Sequence, residues 1–134
     1  MKTSRVKFSD AELDLCCEIA RRLIEIGQLD KAKKILDGLI LHRKDSYLIS
    51  LRAFLGIARG EYEAVNNEIA EYAKNHPHVP LPLRIYLILA KLLKGDSKEA
   101  GELIDDLKRN KIPLDSTEKK ALEFVETYYA LYRR

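Results

Sequence analysis

Gly27-Gln28-Leu29-Asp30-Lys31-Ala32 reads as a helix stop joined directly to a helix start. The glycine can take the positive φ on which helices end, and the small alanine lets the helices on either side of the turn approach closely. The pattern returns as Gly60-Glu61-Tyr62-Glu63-Ala64-Val65 and as Gly95-Asp96-Ser97-Lys98-Glu99-Ala100, with the glycines 33 and 35 residues apart. A period of about 34 residues built from helix, tight turn and helix predicts an array of stacked helical hairpins.

Working outward, Ser9-Asp10-Ala11-Glu12 matches a capping box, with serine and glutamate each satisfying a free backbone amide. The first helix runs from there to Ile26, and its spacing predicts Cys16, Ile19, Ala20 and Leu23 on the inner face. A second helix over 30–42 turns Ala32, Ile35, Leu36, Leu39 and Ile40 inward. The next unit opens at Asp45-Ser46, carries Tyr47, Leu48, Leu51, Phe54, Leu55 and Ala58, and continues past Gly60 to Asn75 with Val65, Ile69, Tyr72 and Ala73. His76-Pro77-His78-Val79-Pro80-Leu81-Pro82 stops that helix, because each proline disfavours a helical residue before it.

The helix predicted over 83–94 is apolar around most of its circumference, with Arg84, Lys91 and Lys94 confined to one narrow stripe. Such a helix must be buried on several sides. Asp96 with Glu99 suggests a second capping box, opening a helix that ends before Pro113. The last helix, about 115–134, has no partner of its own; Leu122, Val125, Tyr129 and Tyr132 share a stripe that Phe124, Tyr128 and Leu131 widen. It reads as a cap over the exposed end of the core. The alternative reading makes Tyr128, Tyr129 and Tyr132 a homodimer, heterodimer or partner face, where tyrosine is enriched.

Composition narrows the function. The 134 residues are 46% apolar and 34% charged with a net charge of only +3, as expected of one folded helical domain spanning 1–134. Bases alternate with acids along every helix instead of clustering, so no nucleic-acid partner is expected. No apolar run reaches the ~18 residues that span a bilayer, and the polar start lacks a signal-peptide core. A cytoplasmic protein without a membrane partner is the expectation. Cys16 and Cys17 are adjacent, which rules out an ordinary disulfide between them. His76 and His78 lack further metal ligands near by. No nucleophile, phosphate-loop or zinc-protease motif is present. The sequence therefore predicts no catalytic residues, no metal and no cofactor: a binding protein and not an enzyme.

The three turns, covering about residues 10 to 113, resemble those of tetratricopeptide repeat (TPR) proteins. The resemblance implies an all-α fold, a right-handed solenoid of three helix–turn–helix repeats (about 10–44, 45–79 and 80–113) plus a C-terminal capping helix. Ala20 and Ala53 match the family's small residue seven before the turn glycine, where the third unit has Ile88. Cys16 and Ile49 replace its usual early aromatic, and Arg52 and Lys91 stand where apolar or aromatic residues are usual. By position, the family's peptide groove would be lined by Asp14, Cys17, Arg21 and Ile24, then Tyr47, Ser50, Phe54 and Ile57, then Ile85, Leu89 and Leu92. This mixed apolar lining implies a protein partner offering apolar side chains or an amphipathic helix. The segment 45–65 and Leu92-Leu93-Lys94-Gly95-Asp96-Ser97-Lys98-Glu99-Ala100 are similar to repeats of bacterial type III secretion chaperones, of the translocator or needle class. That likeness implies sequestration of a secreted subunit. A general adaptor bridging subunits of a cytoplasmic complex is the alternative.

Overall fold

The computed structural model describes residues 7–110 and 113–132. They form seven helices: α1 Asp10–Glu25, α2 Leu29–Leu39, α3 Ser46–Ala58, α4 Tyr62–Asn75, α5 Leu81–Lys94, α6 Ser97–Arg109 and α7 Ser116–Tyr132. Among the described residues there is no strand, and the fold is all-α.

The three turns share one geometry. Gly27, Gly60 and Gly95 lie at φ of 85°, 76° and 103°, where a side chain would be strained. The next residue in each case, Gln28, Glu61 or Asp96, donates its N–H to the carbonyl five residues back, Leu23, Gly56 or Lys91, at 2.8 Å. That bond satisfies a carbonyl that the helix end would leave free. Those three residues also hold nearly identical backbone angles, with φ/ψ of −85°/66°, −93°/61° and −89°/62°.

The other starts are capped by side chains. Ser9 Oγ accepts from Glu12 N–H at 3.1 Å while Glu12 accepts from Ser9 N–H at 2.8 Å, the reciprocal box read from the sequence. Asp45 accepts from Leu48 N–H at 2.9 Å. Asp115 and Glu118 form a second box, at 2.7 and 3.0 Å, one residue ahead of the expected start at Ser116. The box expected at Asp96 and Glu99 does not form. With ψ of 62° in place of the 161° of Ser9, the Asp96 side chain makes no cap bond, and Glu99 instead approaches Lys91 at 3.6 Å.

Packing alternates along the chain. Helix α1 touches α3, α3 touches α5 and α5 touches α7, and each even helix packs between the odd helices before and after it. Among the described residues, α2, α4 and α6 do not touch one another. The core accordingly falls into three clusters, each enclosed by an odd helix, its even partner and the next odd helix. In the last cluster Val125 of α7 closes over Ile88, Leu92, Ala100 and Ile104. Helix α5 belongs to two clusters and touches α3, α4, α6 and α7. This accounts for its missing polar face, since only Pro82 and Lys94 along it are exposed.

Close approach across each turn is kept by different residues. Ala32 and Ala100 are fully buried at the start of α2 and α6. The corresponding residue of α4 is Val65, and there the small partner is Gly56 on α3, where an added Cβ would collide with the valine side chain. Charged pairs join successive units at the surface. Arg59 at the end of α3 reaches back to Asp30 at 2.9 Å, and Lys94 at the end of α5 reaches back to Glu63. Arg52 bridges Asp37 of α2 (3.1 Å) and Glu68 of α4 (2.7 Å), which explains a charge at a position expected to be apolar.

Candidate functional site

The odd helices lie side by side, so a single face runs across α1, α3, α5 and α7. Its α1 end is polar and already paired. Arg21 donates to Glu18 and, at 2.6 Å, to Glu25. Asp14 accepts from Arg43 at 2.8 Å, and Arg43 also binds Asp45. These carboxylates raise the Arg43 guanidinium pKa above its ordinary value. Tyr47, 40% exposed, stands beside Arg21, and burial pushes its phenol pKa up. The Ser50 hydroxyl donates to the Tyr47 carbonyl at 2.7 Å. None of these charges is left open to hold a free carboxylate terminus.

The other end of the face is apolar. Phe54 of α3 stacks on Tyr86 of α5, with ring centroids 6.3 Å apart and planes 25° from parallel. Burial raises the Tyr86 phenol pKa. Next to this pair a groove of about 390 Å³ opens between α5 and α7, floored by Ile85, Tyr86, Leu89 and Val125 and walled by Pro82, Ala121 and Phe124. Thr117 and Glu118 give it a polar rim. Phe124 remains 59% exposed and meets Tyr128 edge-on at 5.7 Å. An exposed aromatic wall on an apolar groove of this size is a feature of ligand and peptide sites. A smaller hollow of about 210 Å³ lies between α4, α5 and α6, bordered by Arg84 and Asp106.

The residues singled out for a groove divide into two groups. Tyr47, Ser50, Phe54, Ile57, Ile85 and Leu89 keep part of their surface on this side of the core, with Asp14 and Arg21 at its polar end. Cys17, Ile24 and Leu92 do not belong to it: they are 0%, 5% and 0% exposed and sit inside the core. The inner stripe of α1 is Leu13, Cys17, Ala20 and Ile24, which leaves Ile19, expected inside, 43% exposed. With Cys, Ile and Leu on both stripes, the apolar pattern did not fix the phase. Burial raises the Cys17 thiol pKa as well.

The tyrosines of α7 turn inward. Tyr128 and Tyr129 are half-buried against the third core cluster, and Tyr129 fills the space that a Cβ on Gly101 would need. The Tyr132 side chain lies outside the described residues. Reading along the repeats missed Tyr86, Pro82, Ala121 and Phe124. Placing α7 as the odd helix of a further unit would have brought Phe124 opposite α5.

His76, in the loop after α4, stacks on Tyr72 at 3.9 Å, and its Nδ1 lies 2.9 Å from the Tyr72 carbonyl oxygen. Among the described residues no three His, Cys, Asp or Glu side chains gather as a metal site, and no helix is long and apolar enough to cross a membrane. Comparison with protein-family models, with curated proteins and with solved structures finds no match to this chain.

Proposed function

We propose that the seven helices are a right-handed TPR-like solenoid of three repeats and a capping helix, and that the protein is a non-catalytic scaffold holding an apolar segment of a protein partner. Three turns of one geometry and a row of touching odd helices with separated even ones support the solenoid. The observation that carries the function is the apolar groove beside Phe54 and Tyr86, with Phe124 more than half exposed on its wall. A groove with one polar edge suits an amphipathic helix or an extended apolar peptide. Binding there would compete with self-association of the partner, which is chaperone action by mass action alone. Within this reading the partner is a secreted subunit of a type III system, held in the cytoplasm. That choice rests on the likeness of the second and third turns to those chaperones.

The test is co-purification from cells with the tagged protein, paired with Leu89→Glu and Phe124→Glu. Both side chains reach the groove, so each variant should lose the partner by about tenfold or more while keeping its helicity. A partner that precipitates alone and stays soluble with the chain supports the chaperone. Two partners that are each stable alone would replace it with an adaptor. Retention of the partner by both variants would remove the groove from the account.

A further inference from the structure

Away from that face, exposed apolar residues gather on α1. Leu15 is 61% exposed, Ile19 43% and Ile26, at the helix end, 70%. With Arg22 they form a stripe spaced four, three, four, about 200° around the helix from the core stripe Leu13, Cys17, Ala20, Ile24. This stripe faces directly away from the protein's own core.

Repeat register shows that it is not a stacking face awaiting another repeat. Moving 33 residues along, Glu18 and Arg22 correspond to Leu51 and Leu55, both buried. Ile19 and Ile26 correspond to Arg52 and Arg59, whose guanidinium groups pair with α2. Helix α1 therefore carries charge where an inner odd helix is apolar, and apolar side chains where the inner helix is charged. The even helix of a preceding repeat would meet two charges in the wrong places.

We propose that this stripe is a two-fold contact between two copies of the chain, with their α1 helices antiparallel. In a two-fold contact, residue i meets j and j meets i. An axis level with Cys17 sets Leu15 against Ile19 of the second copy. The same axis sets Glu12 against Arg22 of the second copy and brings Ile26 level with Phe8, which is 44% exposed. Apolar meets apolar and acid meets base at every level. Placing the axis at Ile19 instead would set Ile26 against Glu12 and lose the match. This charge complementarity is what selects a second copy as the occupant. Arg22 is well placed for it, since its side chain is 71% exposed and its one ion pair is to Glu18 on its own helix, at 3.3 Å. One pair of helices of this length makes a small interface, and so a weak dimer. It leaves the apolar groove free and does not rest on the groove's function.

Sedimentation equilibrium over about 1–300 μM should show reversible dimerisation. Ile19→Glu, which touches neither core nor cap, should weaken it by at least about tenfold with unchanged circular dichroism. Arg22→Glu alone and Glu12→Lys alone should each be monomeric, because like charges then face each other twice. An equimolar mixture of those two variants should dimerise again. A chain that stays monomeric throughout, or a dimer that survives Ile19→Glu, overturns the proposal. So does failure of the two charge variants to recover on mixing when both retain wild-type helicity. A dimer broken by Phe124→Glu and not by Ile19→Glu would place the contact on α7 and overturn it as well.

Discussion

Two glycines of similar exposure make opposite demands. Gly60, at φ 76°, holds the turn between α3 and α4, and Gly60→Ala should cost about 1 kcal/mol or more in chemical denaturation. Gly38 sits inside α2 with helical backbone and open space where a Cβ would go. Gly38→Ala should stabilise by about 0.5–1 kcal/mol through helix propensity. Equal effects of the two changes would contradict the turn geometry. The adjacent cysteines differ in the same local way. Cys17 is fully buried with its thiol pKa raised by burial, whereas Cys16 is only partly buried. A thiol reagent should modify Cys16 in the native protein and reach Cys17 only on unfolding, since the thiolate is the reactive form. Rapid modification of both would refute this phase of α1.

For the helices, the sequence disclosed most where the chemistry is local. A turn glycine, a capping serine and a proline stop act within a few residues, so the Gly27, Gly60 and Gly95 turns and the Ser9 box were legible. The Asp96 box was not, because a side-chain cap needs an extended backbone at that residue and the turn before it imposes another. The groove was half legible. Ile85 and Leu89 follow from repeat position, but Phe124 becomes a wall only through the packing of α7 on α5, which no local pattern states. Helix α7 supplies Val125, Leu122 and Tyr129 to the third cluster. Deleting residues 115–134 should therefore expose Leu92 and Ile104 and unfold α6 while sparing α1 to α4, as judged by amide exchange along the chain. Uniform loss of all seven helices would contradict the division into shared clusters.

At the scale of the molecule, the links between units make it sensitive to acid. The Asp37 carboxyl is held below its ordinary pKa by Lys33 and, against the cost of burial, by Arg52. Burial pushes Asp45 up, but Arg43 and the Leu48 N–H more than offset it, so its pKa is lowered as well. Lys94 lowers Glu63 directly. For carboxyls depressed in the folded state, the stabilisation is complete above their unfolded pKa and is lost as pH falls through the folded one. The melting temperature should thus hold near neutrality and fall below about pH 4. Arg52→Met removes the bridge to Asp37 and Glu68 and should flatten part of that fall; an unchanged acid limb would show that the bridge contributes nothing to it.

Helix α5 lies in contact with four others and forms a wall of two clusters at once. Its amides can exchange with solvent only when both clusters have opened, so their protection should report the free energy of unfolding the whole chain. The outer helices need open only one cluster and should exchange sooner. A solenoid of this kind frays from its ends toward the middle. A partner seated between α5 and α7 would then slow the C-terminal fraying more than the N-terminal, making the two ends of the molecule distinguishable by their lifetimes.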